Sequence, residues 1–128
     1  MNYDSVVDCG IPVNPALARI QAEGGIVQGI GHTLLEDVTR TPSGKIRESS
    51  LFTYRLPTRL DTGDIRVEFE NSYEPTGPFG AKSIGEVCYV PVAPAISGAV
   101  QHALSMPLDA LPLDPDNILK ALAGRRMS

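Results

Sequence analysis

The feature that most constrains this fold is a long helical pattern interrupted by glycines. Asn14 and Pro15 form a strong helix start, because asparagine caps a helix N-terminus well and proline suits the first helical position. From there, apolar and small residues recur at steps of three and four. The pattern predicts a helix from about Pro15 to Val38 whose buried stripe is Leu17, Ile20, Gly24, Val27, Gly31, Leu34 and Val38.

The glycines within this helix require an explanation, since each costs roughly 1 kcal/mol relative to alanine in a helix interior. They are Gly24, Gly25, Gly29 and Gly31. Either the missing side chains let the helix backbone pack closely against another element, or they let a ligand approach the backbone. The glycines alone favour close packing, and both explanations stay open at this point.

Two strands and a strand-like stretch are predicted around this helix. Ser5-Val6-Val7 has the composition of a short strand, and a strand-like stretch runs from about Ile46 to Leu56. Residues 65–70 alternate apolar and charged side chains, which is typical of a strand with one solvated face. Tyr73 to Lys82 is predicted to be a loop, because it contains two prolines and two glycines.

Two further helices complete the prediction. Pro94 opens the first, and its expected buried residues are Ile96, Ala99, Val100 and Ala103. Asp114-Pro115 repeats the cap-and-proline start for a short last helix that carries Ile118, Leu119 and Leu122. The sequence therefore predicts an α+β fold: one small domain over residues 1–128, with a long glycine-rich helix, short mixed strands and two further helices.

Charge and composition exclude several functional classes. Lys and Arg number 11 and Asp and Glu 15, so the net charge of −4 argues against a nucleic-acid-binding protein. The sequence has no apolar run near the ~20 residues of a membrane span, and Met1 to Asp4 do not resemble a signal peptide. Two cysteines are too few for a disulfide scaffold, so we expect a reduced, cytoplasmic protein.

Common cofactor motifs are absent. The stretch from Gly77 to Ser83 lacks the spacing of a phosphate-binding P-loop, and Gly24 to Gly31 does not match the dinucleotide-binding glycine pattern. The four potential soft ligands, Cys9, Cys88, His32 and His102, follow no zinc or iron–sulfur spacing. Short motifs therefore identify no metal site on this chain.

Three longer segments carry a family resemblance. They are Asp8-Cys9-Gly10-Ile11-Pro12-Val13-Asn14-Pro15, Gln21-Ala22-Glu23-Gly24-Gly25-Ile26-Val27-Gln28-Gly29-Ile30-Gly31 and Gly80-Ala81-Lys82-Ser83-Ile84-Gly85-Glu86, the last continued by residues 91–95. In this order and spacing, the chain resembles the C-terminal part of the molybdopterin-binding subunit of the xanthine dehydrogenase and aldehyde oxidase family. The resemblance covers about Val6 to Leu122.

The resemblance implies an enzyme chemistry and a catalytic residue. This family hydroxylates an aromatic heterocycle or an aldehyde, with water as the oxygen source and with two electrons passed to molybdenum. The glutamate that closes the third segment is its general base, which is Glu86 here. A base that works near neutral pH needs a raised pKa, and the apolar residues Ile84, Val87 and Val90 could supply the surroundings for it.

The resemblance also implies cofactor contacts. Gln21 occupies the position of a glutamine whose amide hydrogen-bonds the pterin, a group that offers both a donor and an acceptor. Further expected contacts are Gly24, Gly25, Ala81, Lys82, Ser83 and Gly85. The molybdenum is held by the dithiolene sulfurs of molybdopterin, so no protein metal ligand is expected, and no FAD or iron–sulfur site is expected on this chain.

Two positions and the length depart from the family pattern. Ile20 stands where the family usually has glycine, and Ser83 where glycine or alanine is frequent. The family's subunit is several times longer, so Met1 is expected to begin within a strand whose partners are missing. We therefore expect a site shared with the rest of the large subunit, with FAD and iron–sulfur subunits as further partners, or else self-association.

Three functions remain open at this stage. The first is a part of a molybdenum hydroxylase that acts on a purine, another azaheterocycle or an aldehyde, with the 128-residue chain inactive by itself. The second is an inactive module that folds or dimerises without catalysis. The third is an independent binding protein for a heterocycle or a pterin.

Overall fold

A computed structural model of the chain describes residues 2–125. This mixture of helices and a small sheet confirms the predicted α+β class. Along the chain, the elements are β1 (Asn2–Val7), α1 (Pro15–Leu34), α2 (Arg59–Thr62), β2 (Asp64–Phe69), α3 (Val92–Leu104) and α4 (Pro115–Arg125).

The sheet consists of β1 and β2, which pair in parallel from Asn2 opposite Asp64 to Val7 opposite Phe69. Parallel neighbours need a long crossover connection, and α1 with the segment that follows it provides one. The alternation predicted for β2 is confirmed, because Val67 is fully buried whereas Glu68 is exposed. The strand predicted at residues 5–7 is also confirmed and begins earlier, at Asn2.

The core lies where α1 packs against the inner face of the sheet and against α3. Half-buried Tyr3, Ile65 and Phe69 close its edge on the sheet side. The buried residues of this core are Val7, Cys9, Ala22, Ile26, Ile30, Val67, Cys88, Val92 and Ile96.

The predicted helix α1 is confirmed, but its buried stripe is only partly the predicted one: Gly31 is buried and Val27 and Leu34 are half-buried. Leu17 and Ile20 are 63% and 64% exposed. The buried face consists mainly of small residues with two isoleucines: Ala18, Ala22, Gly25, Ile26, Gly29, Ile30, Gly31 and Thr33. Close approach of neighbouring backbone selects this small-residue face, which the spacing of the larger apolar residues could not reveal.

The helix also ends earlier than predicted, at Leu34 rather than Val38. The amides of Leu35 and Glu36 both donate to the Gly31 carbonyl, which closes the last turn. The start is as predicted, since the Asn14 side chain accepts from the Leu17 amide at 3.1 Å.

The strand predicted over residues 46–56 is wrong. This stretch contains turns, and its only ladder contact is an isolated bridge between Ile46 and Arg40. Its apolar side chains do not reach the core, and Leu51 and Phe52 are 80% and 101% exposed. A strand forms only when another strand pairs with it, and the sheet of the described residues contains only β1 and β2.

Helix α3 begins at Val92, two residues before Pro94. Proline is tolerated there because amides of the first helical turn have no intrahelical partner. Ile96 is buried and Val100 half-buried as predicted, but Ala99 and Ala103 are exposed because only one side of α3 meets α1.

Helix α4 is confirmed, and Asp114 caps it by accepting from the Asn117 amide at 2.7 Å. Ile118 and Leu122 are half-buried, whereas Leu119 is exposed, which corrects the prediction for that residue. Among residues 2–125, no helix combines the length and apolar character that a bilayer crossing requires.

Candidate functional site

Two loops meet beside the start of α1, one before the helix and one far along the chain. The amide of Lys82 donates to the Cys9 carbonyl at 2.7 Å, and that of Ile11 to the Gly80 carbonyl at 2.9 Å. Gly10 allows this contact, because its φ is +66° and a Cβ there would lie 2.3 Å from the Gly80 oxygen. The first and third family segments are therefore in direct contact.

Asp8 joins these loops through its carboxylate. It accepts from the Lys82 ammonium at 2.5 Å, from the Ser72 hydroxyl at 2.5 Å and from the Gly10 amide at 3.0 Å. The bond from Lys82, followed by those from Ser72 and Gly10, holds the pKa of Asp8 well below its usual range. The same bond raises the pKa of Lys82. Lys82 is thus anchored as part of the loop structure.

A cleft opens between the first loop, the start of α1 and the second loop. Its wall includes Gln21, Ala81 and Lys82 together with apolar groups such as Leu17 and Ile84. The Gln21 amide nitrogen donates to the Gly85 carbonyl at 2.8 Å. The structure thus brings together four of the predicted site residues: Gln21, Ala81, Lys82 and Gly85.

Residues 85–91, which we call the Glu86 turn, follow the cleft and lie along α1. A Cβ on Gly25 would sit 3.4 Å from the Tyr89 nitrogen and 3.5 Å from the Cys88 Cβ. One turn later, a Cβ on Gly29 would sit 2.5 Å from the Cβ of Val92. Of the glycines predicted to permit close packing, Gly25 therefore faces the Glu86 turn and is buried there, and Gly29 faces Val92 directly after it.

The remaining predicted site residues lie around this contact. Gly24 is exposed, and a Cβ there would meet nothing within 4 Å. Gly24 lines a second concavity together with His32 and Glu36. Ser83 is exposed. The structure does not gather these two residues with Gln21 in one cleft.

Glu86 is exposed, and its backbone carbonyl accepts from the Tyr89 amide at 3.0 Å. Of the apolar neighbours expected to surround it, Ile84 is half-buried, but Val87 and Val90 are 49% and 67% exposed. The predicted apolar environment is therefore absent within residues 2–125. These residues are neighbours of Glu86 in sequence, but sequence adjacency did not predict burial of the carboxylate.

A network of polar side chains that includes His32, Tyr89 and Glu36 lies near the end of the Glu86 turn, and the sequence did not predict this network. The Tyr89 hydroxyl and His32 Nδ1 share a hydrogen bond of 2.6 Å, and their rings meet edge to face with centroids 5.5 Å apart. His32 Nε2 lies 3.7 Å from a Glu36 carboxylate oxygen, and Tyr54 donates to that same carboxylate. In the sequence, only the spacing of His32 and Glu36, which are four residues apart, indicated that two of these side chains could meet.

Both cysteines are free thiols and are buried in the core. Burial raises the pKa of the Cys88 thiol. Within the described residues, no three His, Cys, Asp or Glu side chains cluster as a metal site would require.

Comparison with known proteins places this geometry in a family. The molybdopterin cofactor-binding domain family matches residues 1–63. The chain is 37% identical over 123 residues to the xanthine dehydrogenase molybdenum-binding subunit of Escherichia coli O157:H7, covering 94% of this chain and 16% of that protein. It is 33% identical to the nicotine 6-hydroxylase large subunit of Paenarthrobacter nicotinovorans, with 94% and 15% covered.

Solved structures agree with these relatives. The fold superposes on quinoline 2-oxidoreductase from Pseudomonas putida 86 with a TM-score of 0.85 at 34% identity, covering 91% of this chain and 15% of that one. For the aldehyde oxidoreductase from Desulfovibrio gigas the TM-score is 0.84 at 29% identity, with 94% and 13% covered. The chain thus spans about a sixth of the length of the relatives it matches. It belongs to the molybdenum hydroxylase family and corresponds to part of the molybdenum-binding subunit.

Proposed function

We propose that this chain supplies one wall of a molybdopterin site, with Glu86 as the general base of a hydroxylation and Gln21 as a pterin contact. The observation that carries the proposal is the 2.8 Å hydrogen bond from Gln21 to the Gly85 carbonyl, one residue before Glu86. This bond joins Gln21 to the residue directly before Glu86, although 64 positions separate Gln21 from Gly85.

The side chains at the cleft suit a pterin. A glutamine amide has two N–H donors and a carbonyl acceptor, and the Gln21 side chain makes no other hydrogen bond to residues 2–125. One N–H and the oxygen therefore remain for the donor–acceptor edge of a heterocycle. Ala81 adds a small side chain and backbone at the same wall, and Gly85 leaves open space where a Cβ would stand.

When bound, the cofactor supplies the metal centre that takes up two electrons from the substrate. The part left to this chain is proton transfer. The Glu86 carboxylate is the proposed acceptor of the proton lost by the water-derived nucleophile. Because Glu86 is exposed on this chain, we propose that the remainder of the subunit covers it and shields the carboxylate from bulk water.

The proposed substrate is a purine, another azaheterocycle or an aldehyde, and the proposed partners are the rest of the molybdenum-binding subunit with FAD and iron–sulfur subunits in the cytoplasm. The chain alone is then inactive.

An inactive module that folds or dimerises without cofactor is the second candidate. The exposed side chains of Leu51, Phe52 and Leu60 favour it, since they form apolar surface that a second protein could cover.

Replacing Glu86 with Gln in the assembled enzyme tests the proposal. This change keeps the size and removes the base, so we expect turnover to fall about 10²- to 10⁴-fold while molybdenum and pterin stay bound. Asp37→Asn is the matched control, because Asp37 is an exposed carboxylate after the end of α1. Full turnover by Glu86→Gln, or purification of the native protein without molybdenum, would contradict the proposal.

A further inference from the structure

We infer that the hydrogen bond between His32 and Tyr89 is a second anchor of the Glu86 turn and that both are positioning residues for Glu86. The inference rests on the proposed role of Glu86. The Gln21 bond to Gly85 holds the start of the Glu86 turn, and the His32 bond to Tyr89 holds the turn near its end.

The anchors lie on the same helix, on either side of the glycine contacts. Gln21 and His32 are 11 residues apart on α1, which corresponds to about 16 Å along the axis. Between them, Gly25 and Gly29 receive Cys88, Tyr89 and Val92 at close range. The Glu86 turn therefore lies along the helix and is bonded to it by a side chain at each end.

Glu86 lies between these anchors. Gly85, immediately before it, is bonded to Gln21, and Tyr89, three residues after it, is bonded to His32. The Tyr89 amide also donates to the Glu86 carbonyl at 3.0 Å, so tyrosine and glutamate are joined through one hydrogen-bonded turn. If the hydrogen bond of the Tyr89 side chain is lost, we expect this turn to become more mobile and the Glu86 side chain to lose its fixed orientation.

His32 is itself held in place from its other side. Glu36 lies 3.7 Å from His32 Nε2, one helical turn further along, and its side chain is only 8% exposed. Tyr54 donates a hydrogen bond to Glu36. The imidazole therefore lies between a carboxylate and a phenol, and its ring is oriented for the bond to Tyr89.

Tyr89→Phe removes the hydroxyl and keeps the ring that packs on His32. We expect the amides of residues 86–90 to exchange with solvent about fivefold faster in the assembled protein, as for the loss of one ordinary hydrogen bond. If Glu86 is the base, kcat falls by a similar factor while KM stays within about twofold. Tyr73→Phe is the control, because the Tyr73 hydroxyl makes no hydrogen bond within residues 2–125, and its exchange should equal that of the parent.

A pair of changes at His32 provides a second test. His32→Asn keeps a polar atom near the position of Nδ1, so it should retain slow exchange, whereas His32→Leu should exchange as Tyr89→Phe does. Unchanged exchange in both Tyr89→Phe and His32→Leu would overturn the anchor, and faster exchange with unchanged kcat would overturn its positioning role. Full turnover by Glu86→Gln would overturn the proposed function instead and leave the exchange result intact, so the two failures are distinguishable.

Discussion

Two regions of this chain both carry apolar side chains but have very different tertiary surroundings. The Glu86 turn is held along α1 by side-chain bonds at Gln21 and His32 and by a close contact at Gly25, and Val92 directly after it packs at Gly29. Residues 35–60 are held largely by local bonds, such as those of Thr41 with Gly44 and Lys45 and of Ser50 with Thr53 and Tyr54. Apolar residues stabilise a fold only where another element covers them, and in the second region Leu51, Phe52 and Leu60 are exposed.

The largest expected effect compares one apolar side chain from the core with one from the second region. Ile26 is fully buried, so Ile26→Ala should lower the free energy of unfolding by about 2–5 kcal/mol. Phe52 is fully exposed, so Phe52→Ala should change it by less than about 0.5 kcal/mol. Urea unfolding of both variants measures this difference, and a loss for Phe52→Ala comparable to that for Ile26→Ala would show that the second region is folded onto the core.

The next prediction concerns the glycines of α1. Gly29→Ala places a Cβ 2.5 Å from the Val92 Cβ, and overpacking of this kind costs about 1–3 kcal/mol, partly offset by the helix propensity of alanine. Gly24→Ala meets nothing within 4 Å, so it should stabilise the chain by about 0.5–1 kcal/mol. The signs of the two changes in melting temperature should therefore be opposite.

A double variant supplies the control for the Gly29 prediction. If the clash with Val92 is the cause, adding Val92→Ala to Gly29→Ala should cost less than the sum of the single changes. Strict additivity would mean that Gly29 is needed for another reason.

The third prediction concerns the pH dependence of stability that arises from Asp8 and Lys82, which join the two loops beside α1. The pKa of Asp8 is lowered by Lys82, so its contribution to stability is complete above its ordinary pKa of about 3.9 and is lost as pH falls through the lower folded value. The pKa of Lys82 is raised, so its contribution is lost only as pH rises above about 10.4 and through the folded value. Asp8→Asn should therefore destabilise the chain at pH 7 more than at pH 2.

Denaturant midpoints at the two pH values measure this difference between parent and variant. Asp4→Asn is a matched control, because Asp4 is exposed and its partner Arg66 lies at 3.8 Å. An equal loss for Asp8→Asn at both pH values would show that the charge of Asp8 does not join the loops.

The smallest expected effect is on self-association. Phe52→Ser removes a fully exposed aromatic ring from the second region, so it should lower any concentration-dependent dimerisation without changing the melting temperature of the monomer by more than about 2 °C. Analytical ultracentrifugation across a concentration series measures it. Unchanged association would direct attention to another exposed apolar surface, such as the side of α3 that carries Ala99 and Ala103.

Local sequence signals predicted elements whose formation depends mainly on neighbouring residues. Asn14-Pro15 and Asp114-Pro115 both start helices, because the capping side chain bonds an amide three positions away. The alternation in residues 65–70 predicted β2 because one face of that strand is buried. The family resemblance implied cofactor contacts at Gln21, Ala81, Lys82 and Gly85; these four residues lie close together in the structure, and their role stays a prediction.

Tertiary structure alone decided which side of each element became buried and what the Glu86 turn contacts. Leu17 and Ile20 fit a helical stripe as well as Ala18 and Ala22 do, but only the small residues allow backbone to approach α1 closely. Residues 46–56 have strand-like composition but pair with neither β1 nor β2. The sequence by itself thus determined the caps, the alternation and the family, since these depend on local spacing, whereas the bond of His32 to Tyr89 joins residues 57 positions apart and exists only in the folded chain.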